Sequence, residues 1–184
     1  MGESGEFSIF AANYQLLLHK TTDFAMRFIG DYTAKADSKG RVFLPAAFRK
    51  TMDAEGVERF VLRKDLFQPC LVLYPESVWN AQLDDLKQKL NAYNRSHQMI
   101  MRQFVADAEL IELDSNGRFL ISKRKLEFAK ITSDVRFLAV DERIEVWDRE
   151  ELENIIAASD SLGDNLESIL GGDEQDGKKL KDER

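Results

Sequence analysis

One short pattern occurs twice in this chain and limits what it can fold into. Residues 37–41 read DSKGR and residues 114–118 read DSNGR, 77 positions apart, each running into an apolar stretch, VFLP or FLIS. Four identities in five positions prove little alone; the flanks decide it. FIGDYTAKA precedes the first copy and VADAELIEL the second, equal in length and extended in character. Downstream, RFVL at 59–62 matches RFLA at 136–139 at the same offset. LVLYPESVW at 71–79 then matches IEVWDREEL at 144–152 at an offset of 73, so four residues are lost around RKDLFQP, where a loop absorbs them. Four elements in one order with one loop deletion are an internal duplication.

Each half therefore reads alike. A strand near 32–36 enters a tight turn built by Asp37 and Gly40, and a second strand leaves it at 41–44. In the second half, Asp114 and Gly117 make the turn before a strand at 118–121. Asn116-Gly117 suits a hairpin turn of type I′, whose central residues need positive φ. Next come a short helix over 45–53 started by Pro45, strands at 59–63 and 70–74, and a helix over 76–93. Trp79, Leu83, Leu86, Leu90 and Tyr93 make its apolar stripe, suited to a core or a subunit contact. The connector 94–106 reads as helical. Asp148 with Glu151 makes a capping-box variant for the helix that carries Leu152, Ile155 and Ile156. The fold class is α+β, with two half-folds in one chain.

Chemistry is sparse. Asp37 and Asp114 could form a carboxylate pair, but Asp before a tight turn accepts backbone N–H bonds far more often than it moves protons. There is no Gly-rich phosphate loop, nucleophile elbow or zinc motif. Cys70 is the one cysteine, set in an apolar run as a core residue, and His19 and His97 are too far apart for a shared metal. Neither an enzyme, a cofactor nor a small-molecule substrate is expected. The apolar run in 1–25 is interrupted by Asn13, Gln15 and His19 and is too short to span a membrane.

Charge points elsewhere. The net charge is −7, yet from Asp141 onward 15 acidic residues face 6 basic ones, whereas 1–140 holds 18 and 20. Residues 26–50 carry six Lys/Arg against two Asp. Lys39 and Arg41 bracket Gly40 at a turn, and Arg118 follows Gly117 at the matching place. A two-stranded ribbon can enter the DNA major groove, where Arg bonds guanine O6 and N7 together. Arg27, Lys35, Arg49, Lys50, Lys123, Arg124 and Lys125 are the supporting candidates for phosphate. A turn needs its Gly but not an Arg after it, twice.

MRFIGDYTAKADSKGRVFLPAAFRK, LVLYPESVW, DSNGRFLIS and IEVWD together resemble the MraZ family of bacterial transcriptional regulators, over residues 26–157. The resemblance implies tandem AbrB-like half-folds of swapped-hairpin type, 26–103 and 104–158. A 1–25 extension would precede them and an acidic, disordered tail, 159–184, would follow. It implies a ring-shaped homo-oligomer, such as an octamer, bound to direct repeats in double-stranded DNA upstream of the division and cell wall gene cluster. The protein would be cytoplasmic and nucleoid-associated. Arg41 carries over as the DNA-contacting arginine with Lys39 beside it, and Arg118 is its counterpart with Asn116 in the lysine's place. Ser122 and Leu126 stand where the family's second half has Pro and Arg, so the two copies are expected to be unequal. The rival reading is an oligomeric protein–protein scaffold whose DNA binding is incidental.

Overall fold

A local reading pairs each D-S-x-G-R turn with the strand just before it; the chain pairs them otherwise. The computed structural model describes residues 27–159 and 161–170. The expected extension over 1–25 and the tail beyond 170 lie outside the described residues. β1 (Asp31–Lys35) and β2 (Arg41–Phe43) are joined next to the first turn by one bridge, Ala36 to Val42, and then part. Every other strand bond of β2 goes to β6 (Arg118–Leu120), antiparallel, with Arg41 opposite Leu120 and Phe43 opposite Arg118. These two pairs are equivalent under the 77-residue offset, so a pseudo-dyad passes through the ribbon.

The same dyad organises the main sheet. Its strands are β3 (Arg59–Lys64), β4 (Leu71–Pro75), β5 (Glu109–Glu112), β7 (Asp134–Val140), β8 (Arg143–Asp148) and β1, in the order β1-β7-β8-β4-β3-β5. Neighbours are antiparallel throughout. β8 and β4 meet at the centre, flanked by their hairpin partners. The outermost strands are exchanged: β1 of the first half pairs with β7 of the second, and β5 of the second with β3 of the first. This is the swapped-hairpin α+β fold of tandem AbrB-like units. Asp31 and Arg136 fasten one exchange, with Nε and Nη2 of Arg136 donating to the two carboxylate oxygens at 2.8 and 2.6 Å.

One core serves both halves. Val42, Leu44, Phe48, Phe60, Leu62, Leu71 and Leu73 interdigitate with Phe119, Ile121, Val135, Phe137, Ile144 and Val146. β4 is buried along its whole length, as a strand covered on both faces must be. Phe48, on α1 (Ala46–Glu55), meets the ring edges of Phe28 and Tyr32 at 5.7 and 5.1 Å. Pro45 caps α1 with φ −50°, and Ser122 takes the same extended conformation before α4 (Lys123–Phe128).

The helix expected over 76–93 ends four residues early, and the connector 94–106 is helical as its sequence reads. α2 (Glu76–Lys89) stops where Leu90 turns extended, and Asn94 opens α3 (Arg95–Val105), its side chain accepting from the Ser96 and His97 amides. Trp79 alone of the stripe is fully buried, and Tyr93, between the helices, is 99% exposed. α5 (Arg149–Ala158) is capped by Asp148, which accepts from the Glu150 and Glu151 amides. Residues 162–170, read from sequence as tail, form helix α6 (Leu162–Leu170). Leu162, Leu166, Ile169 and Leu170 recur there at helical spacing, a short signal hidden by the acidic surroundings.

Candidate nucleic-acid interface

The two turns are built by one device. The Asp37 Oδ1 accepts the Lys39 and Arg41 amides, both at 2.9 Å. Its Oδ2 accepts Nε of Arg41 at 2.7 Å and lies 2.6 Å from Nη2. The backbone closes around it, Gly40 donating to the Asp37 carbonyl and Asp37 to that of Arg41. Asp114 repeats every bond with Asn116, Gly117 and Arg118. Four donors converging on one carboxylate favour its charged form. The Arg41 amide and guanidinium accordingly hold Asp37 down at about 2. Arg118 depresses Asp114 in the same way.

The turns are not type I′. Lys39 and Asn116 keep negative φ; the left-handed residues are Gly40 at φ +81° and Gly117 at +80°. The aspartate selects this shape by drawing the amides two and four residues on toward itself, which leaves the fourth position to glycine. Neither glycine has room to change. The carbonyl of each accepts an amide from the opposite half, Gly40 that of Ile121 at 2.9 Å and Gly117 that of Leu44 at 3.0 Å. A Cβ on Gly40 would lie 2.5 Å from the Ile121 carbonyl oxygen.

The ribbon that joins the turns has an inner and an outer face. Val42 and Phe119 point into the core. Arg41, Phe43, Arg118 and Leu120 therefore share the outer face, since alternate residues of a strand point the same way. Arg41 and Arg118 are diagonal neighbours, roughly 7–8 Å apart at the backbone. Their side chains are 40% and 26% exposed. Each guanidinium spends Nε–H and one Nη2–H on its aspartate and keeps three N–H groups. That remaining edge can bond two acceptors at once, on a base or a phosphate. Arg118 also lies over Phe43, 5.6 Å from the ring. Phe43 and Leu120, 53% and 55% exposed, were not among the sequence candidates. Strand alternation after each motif was the signal for them.

The strand exchange redistributes the supporting charges. Arg49 belongs to the first half, yet its Cδ and Nη1 sit 2.8 Å from where a Gly117 Cβ would be. Its Nε donates to the Leu44 carbonyl at 3.2 Å. Arg49 thus stands beside the second turn. Its counterpart Leu126, on α4, touches Gly40 at the first. The departure at Leu126 therefore falls beside Arg41, while Arg118 keeps a second guanidinium near it. Lys123 and Arg124 open α4 and are exposed, with Nζ of Lys123 3.7 Å from Glu127. Lys39 is exposed at the first turn, and Lys50 on α1 is exposed as well. Lys35 lies on β1, 3.6 Å from Asp134, and Arg27 pairs with Asp141 at 3.1 Å.

Lys125 is a correction. It is fully buried, and its Nζ donates to the Asp107 carbonyl with the Glu109 carboxylate 3.5 Å away. A side chain sealed in the core cannot reach phosphate. Its place in a run of three basic residues hid a helix period that turns the third inward. Cys70 is buried too, and burial pushes its thiol far up, which leaves it inert as a nucleophile.

Comparison with known proteins places this geometry. The model of the MraZ protein family matches residues 27–103 and again 104–168. A protein of Phocaeicola vulgatus named transcriptional regulator MraZ is 55% identical over 146 residues, covering 79% of this chain and 95% of its own. One of the same name from Bacteroides thetaiotaomicron is 48% identical over 155 residues, 84% and 99% of the two chains. A third, from Clostridium tetani, is 36% identical over 126 residues, 68% and 84%.

Proposed function

The chain belongs to the MraZ family of transcriptional regulators, and from that premise we propose that it reads short direct repeats in promoter DNA through the outer face of the β2–β6 ribbon. It is a DNA-binding regulator and not an enzyme. The observation that carries the reading is the paired turn: two arginines on one exposed face, each pinned by its own aspartate with a two-donor edge left outward. A guanidinium held in advance loses little rotamer freedom on binding. Arg41 and Arg118 contact base edges; Lys39, Arg49, Lys123 and Arg124 neutralise phosphates around them, and Lys35 lies further out on β1.

One ribbon is a small reading head. A ring-shaped homo-oligomer presents several at fixed spacing, so tandem repeats upstream of the division and cell wall genes are held by avidity. This accounts for DNA binding by a chain of net charge −7, because the turns themselves carry Lys39, Arg41 and Arg118. The protein acts in the cytoplasm, at the nucleoid.

The test is fluorescence anisotropy on one-repeat and tandem-repeat duplexes over a salt series. Arg41→Ala removes a contact worth about 1–3 kcal/mol, and affinity for one repeat falls roughly 5- to 150-fold. Lys39→Ala lowers the salt slope by about one phosphate contact with little loss of sequence preference. Wild-type affinity in Arg41→Ala refutes the reading head.

A further inference from the structure

Helix α6 packs on no surface among the described residues. Each of its nine residues is exposed, and Leu162, Leu166, Ile169 and Leu170 form an apolar stripe facing solvent. A helix this short is marginal in water without a surface to pack on. The duplication shows what such a surface looks like. α3 follows α2 as α6 follows α5, and α3 is anchored by Phe104, stacked on Trp79 at 5.1 Å with the rings 7° apart. At the position matching Trp79 the second half has Leu152, so it offers α6 no aromatic platform of its own.

A surface that fits lies beside α3. Between the end of α2 and the start of α3 runs a groove of about 420 Å³, with Leu90, Ala92 and Met101 apolar and Lys87, His97 and Arg102 around them. The charges are complementary. α6 carries Asp164 and Glu167 and no Lys or Arg; α3 carries Arg95 and Arg102 and no acid. Neither arginine has an ion pair among the described residues, and Arg102 donates only to Gln98 Oε1 at 3.2 Å.

We propose that α6 of one copy docks in the α2–α3 groove of a second copy, its apolar stripe on Leu90 and Met101 and Glu167, on the flank of that stripe, toward Arg102. Each chain then has one donor helix and one acceptor groove on different surfaces. Such a heterologous contact propagates head to tail and closes into a ring when the rotation allows. The inference rests on the homo-oligomer of the functional reading and supplies its joint.

Sedimentation velocity on the full chain tests it with two variants that touch neither core nor ribbon. Leu166→Asp with Ile169→Asp kills the donor, and Met101→Asp with Arg102→Glu kills the acceptor. Each variant alone sediments as a monomer, with the circular dichroism melt of the β core unchanged. An equimolar mixture forms dimers, because one intact donor meets one intact acceptor, and these grow no further. Wild-type mass in either variant overturns the contact, as does a mixture that stays monomeric or a wild-type chain that is itself monomeric. Arg41→Ala separates the two readings: it leaves sedimentation unchanged whether or not it abolishes repeat binding. Repeat binding that survives Arg41→Ala overturns the reading head and leaves the joint standing.

Discussion

Replacing Gly40 with alanine tests whether the first turn is seated on the opposite half. Three glycines with similar left-handed φ make a graded series: Gly56 at +66°, Gly117 at +80° and Gly40 at +81°. An L-residue there costs roughly 1–2 kcal/mol, partly offset by about 0.4–1 kcal/mol from a less flexible unfolded chain. At Gly56 a Cβ meets nothing within 4 Å, so the net loss is about 1 kcal/mol. At Gly117 it meets the Arg49 side chain at 2.8 Å, which can swing aside, and the loss is roughly 1–2 kcal/mol. At Gly40 it meets the Ile121 carbonyl oxygen at 2.5 Å and Leu126 Cδ1 at 3.2 Å. Backbone cannot swing. Overpacking adds about 1–3 kcal/mol, and breaking the Ile121-to-Gly40 hydrogen bond about 0.5–1.5 kcal/mol. The total for Gly40→Ala is then about 2.5–5.5 kcal/mol, read as a shift in urea midpoint at constant slope. If Gly40→Ala is no worse than Gly56→Ala, the turn is not seated on Ile121 and the exchanged topology is wrong there.

Gly117→Ala tests Arg49: well below the melt, where a loss of roughly 1–2 kcal/mol leaves the chain folded, pushing Arg49 off the second turn lowers DNA affinity several-fold, and an unchanged anisotropy curve would remove Arg49 from the interface. Asp37 titrates near 2 against an ordinary 3.8, and Asp31 and Asp114 are lowered as well. A depressed carboxylate stabilises fully above its unfolded pKa and loses that contribution as pH falls through the folded one, so acid weakens the turns between about pH 4 and pH 2. Carbon-13 titration of the Asp37 carboxyl checks this, and a midpoint near the ordinary value would contradict the four-donor geometry. Lys125→Ala removes buried methylenes and a bond to the Asp107 carbonyl and costs about 2–4 kcal/mol in urea unfolding; a neutral result would mean the side chain is not sealed in the core. In a double-mutant cycle, Asp31→Ala and Arg136→Ala couple by about 1–2 kcal/mol, whereas additive effects would deny the β1–β7 exchange its charged clasp.

What the sequence determined by itself is what neighbours along the chain decide. The duplication, the glycine turns, the order of strands and helices and the Asp148 cap all rest on residues within a few positions of one another. The arginine after each glycine was visible for the same reason. Turn type was misread because Asn-Gly alone suggests type I′, while the aspartate three residues before each glycine gathers amides that keep Lys39 and Asn116 at negative φ. Tertiary structure decided the partners. Two halves with matching patterns offer equivalent strands, so nothing local says whether β1 joins its own half or the other; Asp31 finds Arg136 105 positions away. That exchange carries Arg49 to the second turn and Leu126 to the first, and shared packing draws Lys125 inward. Turn chemistry is written within five residues, but which basic side chain stands beside which turn depends on a long-range pairing that only the assembled core selects.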